Sequence, residues 1–194
     1  MGVSEPLAKQ ALIDSAITFC DQSLAVTVNL DPMTIPIGTS AMELEAPDQT
    51  TIAQILLVWF DKQLLNPVPY GQLTNIFRED GQPVDYTVEY IEEVVNLMVY
   101  PAPNKLVSSG LLVRAALRPT RDATQLHDIL YQRYSDGIIS GAISILCSMP
   151  DQPWTDVGRA QQAGVRARSL ANTARGDMMF GRVQSSMTVS MREF

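Results

Sequence analysis

Apolar residues recur at helical spacing only near the two ends of this 194-residue chain, and the stretch between those ends reads as short β-like runs cut by turn residues. That order sets the fold class. Near the start, Leu12, Ile13, Ala16, Ile17, Cys20 and Leu24 share one helical face. Ser4 is placed to cap this helix, Pro6 is tolerated in its first turn, and the helix is expected to end near Gln22. Near the other end, Asp122 followed by Gln125 resembles a capping box. The helix expected after it aligns Leu126, Leu130, Tyr134, Ile138, Ala142, Ile145 and Met149 on one stripe. Gly137 and Gly141 lie on the neighbouring face, where another helix could approach closely. Pro150, Asp151 and Pro153 interrupt the pattern, and Pro153 suits the first turn of a new helix. That last helix carries a line of small residues, Ala160, Gly164, Ala167, Ala171 and Ala174, with Gly176 as its expected stop.

Between the helices the period changes from 3.6 to 2. Residues 24–30 are followed by Asp31-Pro32. Residues 41–46 put Met42 and Leu44 on one side, Glu43 and Glu45 on the other. Residues 51–60 are continuously apolar, as a strand buried on both faces would be. Asp80-Gly81 is a hairpin signal, residues 84–90 alternate, and residues 94–100 are strongly β-prone before Pro101-Ala102-Pro103-Asn104. A further run, 106–117, stops at Pro119, and one short helix is expected near residues 71–77. Strands at this spacing suggest an antiparallel sandwich or meander. The expected architecture is α+β. A helical bundle is formed by residues 1–23 plus 122–176, with an inserted antiparallel β-rich lobe over residues 24–121. Residues 177–194, rich in Met and Ser and alternating weakly at Val183, Met187, Val189 and Met191, are expected as an extended arm.

Composition narrows the function. Hydrophobic content of 46% against 18% charge is that of a chain that folds. A net charge of -7 argues against an independent nucleic-acid binder. The charge is uneven: residues 1–105 hold 14 acids and 4 bases, while residues 106–194 hold 7 acids and 10 bases, all of them Arg. Arginine suits bidentate pairing at interfaces, so Arg159, Arg166, Arg175, Arg182 and Arg192 are candidates for a partner surface, and Trp154 is a candidate anchor packed on the Ile138, Ala142 and Ile145 stripe. A solvated helix face explains the same arginines equally well.

No catalytic, cofactor-binding or metal-binding residues are assigned. His127 is the only histidine and lies where a capping or solvated role is expected. One His and two distant Cys do not make a zinc site, and Cys20 and Cys147 read as buried free thiols. The carboxylates Glu43 and Glu45 read as a solvent-facing strand rather than a cation site, and the adjacent Glu92 and Glu93 point to opposite faces of a strand. No basic start with an apolar run marks a signal peptide, and the longest apolar stretch is far too short to span a bilayer.

Four stretches together resemble the head-to-tail adaptors of tailed phages, in particular the tail tubular proteins of short-tailed phages. They are the opening helix over residues 11–24, the segment 95–103, the helix bearing Tyr134, Gly141-Ala142 and Leu146, and Pro150-Asp151-Gln152-Pro153-Trp154-Thr155-Asp156 leading into an Ala- and Arg-rich helix. Where these adaptors often open an early strand with Gly, a spacer and Tyr, this chain has Gly38-Thr39-Ser40-Ala41-Met42. The resemblance implies a virion structural protein assembled in the host cytoplasm. It implies a homo-oligomeric, commonly twelvefold, ring between the portal protein and the tail nozzle, with DNA passing through its channel. A tail terminator or head-completion protein is the nearest alternative; a small-ligand binder, an enzyme or a solitary regulatory module is more distant.

Overall fold

The computed structural model describes residues 2–69, 81–91 and 94–180. In chain order the elements are α1 (Glu5–Ser23), β1 (Thr27–Asn29), β2 (Ala41–Leu44), β3 (Thr50–Phe60), β4 (Gln63–Leu64), β5 (Asn66–Pro67), β6 (Asp85–Ile91), β7 (Val94–Tyr100), β8 (Leu111–Pro119), α2 (Asp128–Cys147) and α3 (Val157–Phe180). The fold is mixed α+β, with three helices and two four-stranded sheets among the described residues.

The sheets run in the orders β1-β8-β3-β4 and β2-β7-β6-β5. Every pairing is antiparallel except β5 with β6, which is parallel and departs from the expected all-antiparallel lobe. The expected long first strand shrinks to Thr27–Asn29, and β8 starts at Leu111 rather than 106. Two short strands, β4 and β5, carry no period and were not anticipated. The β3–β4 turn holds Asp61 (φ 46°) and Lys62 (φ 67°) in the left-handed region, without the Asn-Gly that usually marks such a hairpin.

The apolar run of β3 is not buried on both faces. Ile52, Ile55, Val58 and Phe60 are buried, whereas Gln54 is exposed. Register shifts between Ile52 and Gln54, and between Ile55 and Leu57, re-aim the strand so that residues three apart reach the same face. Both sheets contribute to one cluster of buried side chains, including Val58, Phe60, Leu97, Val99, Leu111 and Val113. Tyr90 of β6 accepts a hydrogen bond from the Ile55 backbone N–H (3.3 Å), tying one sheet to the other beside the second register shift.

The helices enter the same cluster through Phe19, Cys20, Leu130, Ile138, Ala171 and Ala174. The buried face of α1 is Ala11, Ser15, Ala16, Phe19, Cys20 and Ser23, and Leu12 is exposed. Apolarity alone favoured Leu12. The close approach of α2 instead demands a small side chain, so Ser15 is buried and donates its hydroxyl to Ile138 O (2.7 Å). A Cβ on Gly141 would collide with Ser15 Oγ, one on Gly137 would lie 2.6 Å from Phe19 Cε2, and one on Gly164 would lie 2.9 Å from Ser144 Oγ. The glycines and small residues picked out in the sequence are therefore the points where the helices touch.

Helix ends differ from expectation in four places. Ser4 holds the N-cap position of α1 but makes no side-chain cap bond. α2 opens at Asp128, capped by His127 Nδ1, which accepts from Ile129 N (3.3 Å). The Asp122 box does not form because Gln49, from the β lobe, takes those backbone donors: its Oε1 accepts from Thr124 N (2.8 Å) and Gln125 N (3.2 Å). α3 opens at Val157, with Asp156 Oδ1 accepting from Arg159 N (2.9 Å), so Pro153 lies in the preceding turn. α3 also runs through Gly176 to Phe180. A single helical glycine costs only about 1 kcal/mol, too little to stop a helix whose Ala171 and Ala174 are buried.

The expected short helix near 71–77, Asp80 of the hairpin signal, the Glu92-Glu93 pair, and residues 181–194 with Arg182 and Arg192 lie outside the described residues. Among the described residues, no helix is long and apolar enough to cross a membrane.

Candidate interaction surface

The outward side of α3 carries the cations. Arg159 and Arg166 are two turns apart and exposed, with Gln162 and Val165 between them. Arg166 pairs with Asp136 of α2 at 3.6 Å, but both side chains are mostly exposed, so the pair contributes little and the guanidinium stays accessible. Arg175 behaves differently: its Nη1 donates to Gln22 O at the C-terminal end of α1 (3.0 Å). The structure thus brings Arg159 and Arg166 together on one face and uses Arg175 as a tie between helices. Arg118 is a second tie, from β8 to α1, with Nη1 3.1 Å from Asp21 Oδ2 and Nε donating to Thr51 Oγ1 (3.2 Å).

Trp154 sits in the turn between α2 and α3 and is partly exposed. The turn is closed by Asp156 N donating to Cys147 O (3.0 Å) and by Thr155 Oγ1 accepting from Gln152 N (3.0 Å). The indole Nε1 is enclosed and has no hydrogen-bond partner among the described residues. An enclosed, unpaired donor is destabilising, so removing it offsets part of the lost packing. Trp154→Phe should change the unfolding free energy by less than about 1 kcal/mol by urea denaturation; a loss near the 3–5 kcal/mol of a full aromatic deletion would show that the N–H is paired.

Reactive side chains are few among the described residues. His127 spends its Nδ1 on the α2 cap. No group of three or more His, Cys, Asp or Glu among the described residues could hold a metal ion. Cys20 and Cys147 are buried and free. Burial, with a smaller effect from neighbouring Asp21, pushes the Cys20 thiol up to about 12. The native state therefore holds this proton more tightly than the unfolded chain, whose thiol titrates near 9.0. Stability from this site is complete below that lower value and is lost as pH rises toward 12. Denaturation midpoints should fall across this window, and Cys20→Ala should flatten the fall; an unchanged slope would refute the assignment.

Sequence reasoning missed the concave features, because they depend on which strands become neighbours. One cleft of about 820 Å³ lies between α1, β3 and the end of β8, lined by Ile17, Thr51, Tyr90, Arg118 and Arg121 among others. A groove of about 680 Å³ lies between β1 and β2, with Val28, Leu30, Met33 and Ala46 inside and Asp31, Glu43 and Glu45 around it. The sequence matches no protein-family model and no curated protein.

Proposed function

We propose that this chain is one subunit of the ring that joins a phage head to its tail, a head-to-tail adaptor of the short-tailed type. One observation carries the reading. The four stretches of the resemblance are far apart in sequence, and three of them, in α1, α2 and the turn that opens α3, fall in one helical layer, with the fourth in β7. α1 and α2 meet at Gly137 and Gly141, and α2 and α3 meet at Gly164. A ring of identical subunits is built from head-to-tail contacts between two unlike patches. The outward cations Arg159 and Arg166 of α3 supply one, and the acid-rich first half of the chain is the source of the other. A surplus of acid also suits a channel through which DNA passes without sticking, because phosphate is repelled.

The test is assembly on the portal ring of the same phage, followed by mass photometry and negative-stain imaging. The expected product is a closed ring, twelvefold by the resemblance, capping the portal and presenting a surface to the tail nozzle protein. Arg159→Glu with Arg166→Glu should leave the fold intact and abolish ring closure. Failure of the unaltered protein to associate with the portal ring would overturn the reading.

A further inference from the structure

The open side of the β sandwich is built to receive one more strand. β1 and β2 are edge strands of the two different sheets, and the 680 Å³ groove separates them. Val99 N donates to Ser40 O (2.8 Å), and antiparallel pairing alternates, so Met42 and Leu44 bond toward β7. The backbone groups of Ala41 and Glu43 consequently point to the open edge, where unpaired N–H and C=O groups are a template for another strand. Beside that edge, Val28, Met33 and Ala46 are only partly buried against the core. The rim is acidic: Asp31, Glu43 and Glu45 are exposed, no Lys or Arg lines the groove, and no ion pair among the described residues engages these three carboxylates.

The same chain contains a segment of matching chemistry. In residues 181–194, Met187, Val189 and Met191 alternate with Thr188 and Ser190, and Arg182 and Arg192 bracket the run. Alternation of this kind presents one apolar side to a groove and one polar side to water. Its starting point is also close. Arg175 of α3 bonds to Gln22 of α1, and α1 leads into β1, the groove's wall, within four residues of Ser23. Five residues of helix from Arg175 to Phe180 cover about 7.5 Å, and the chain from Gln22 to Val28 covers at most about 20 Å. Val189, the middle of the run, lies nine residues past Phe180 and reaches about 30 Å when extended, enough to bring residues 187–191 to the groove. A tethered segment of this length acts at an effective concentration around millimolar, above that of any free second copy in dilute solution.

We propose that residues 187–191 add as a strand to the β2 edge of their own chain, with Met187, Val189 and Met191 toward Val28, Met33 and Ala46 and the flanking arginines against Asp31, Glu43 and Glu45. The inference is independent of the adaptor reading, because it concerns the isolated chain. Residue-resolved amide exchange on the full chain tests it, comparing the unaltered sequence with Met187→Asp/Val189→Asp. These substitutions lie beyond the last core helix, and the Val113 amide in the centre of the sheet serves as the internal control for folding. The Glu43 amide should exchange at least about tenfold more slowly in the unaltered chain than in the variant, and equally so when the protein is diluted about tenfold. Equal rates in the two proteins would overturn the proposal. Protection that grows with protein concentration would also overturn it, by assigning the groove to the segment of a second copy.

Discussion

Replacing Phe19 with alanine is expected to remove about 3–5 kcal/mol of stability, the largest single loss available in the helical layer. Phe19 is 3% exposed and sits where three helices converge. Its ring lies 5.4 Å from that of Tyr134 on α2, tilted by 40°. It also covers Gly137, the point where α2 has no side chain of its own, and a Cβ placed there would lie 3.4 Å from Leu170 Cβ of α3. Deleting the ring opens a cavity, because Gly137 has no side chain to fill the space and Tyr134 and Leu170 are held on α2 and α3. The aromatic pair with Tyr134 adds about 0.5–1.5 kcal/mol beyond area burial. Urea denaturation should show a lower midpoint at unchanged slope. A loss under about 1 kcal/mol would mean the helices can repack without the ring.

Gly137→Ala is the second large effect, and its sign discriminates between two principles. Helix propensity favours alanine over glycine by about 1 kcal/mol. Packing opposes it: the new Cβ would stand 2.6 Å from Phe19 Cε2 and 3.1 Å from Cδ2, on a ring held by its own neighbours. Overpacking of a tight core costs about 1–3 kcal/mol, and α1 would have to move away from α2. The net expectation is a loss of up to about 2 kcal/mol. Phe19→Leu should cost less in the Gly137→Ala background than alone, because the smaller side chain frees the space the Cβ needs. Stabilisation by Gly137→Ala, or additivity of the two changes, would show that the helices are not in close contact there.

Gly141 extends the same argument one turn along α2. Its added Cβ would displace the Ser15 hydroxyl from Ile138 O, leaving a buried polar group unpaired. Two glycines and a serine thus do for this bundle what larger apolar residues do elsewhere. They let two helices come close enough for Phe19 to seal the junction.

Local periodicity was enough to find the helices and most of the strands. The stripe through Leu130, Ile138 and Ala142, the small line Ala160, Ala171 and Ala174, and the bounds of β7 follow from side-chain spacing, which is a property of neighbours in sequence. The same spacing marked Cys20 and Cys147 as buried. What spacing does not contain is the identity of distant partners. Gln49 takes the Gln125 N–H that the Asp122 carboxylate would have accepted, and His127 caps α2 instead. Arg175 is turned to Gln22 and not to solvent partners, and α3 continues past Gly176 because its buried alanines outweigh one glycine. Register shifts convert the uniform apolar run of β3 into one buried and one half-exposed face. The groove between β1 and β2 exists only because those two strands become the edges of different sheets. By itself the sequence determined element type and the inward stripe of α2, since both arise from local backbone geometry and apolarity, whereas the inward face of α1 was set by the close approach of α2. Strand order, helix ends and the shape of the candidate surfaces were decided by tertiary structure, since each is a competition between local bonds and long-range ones.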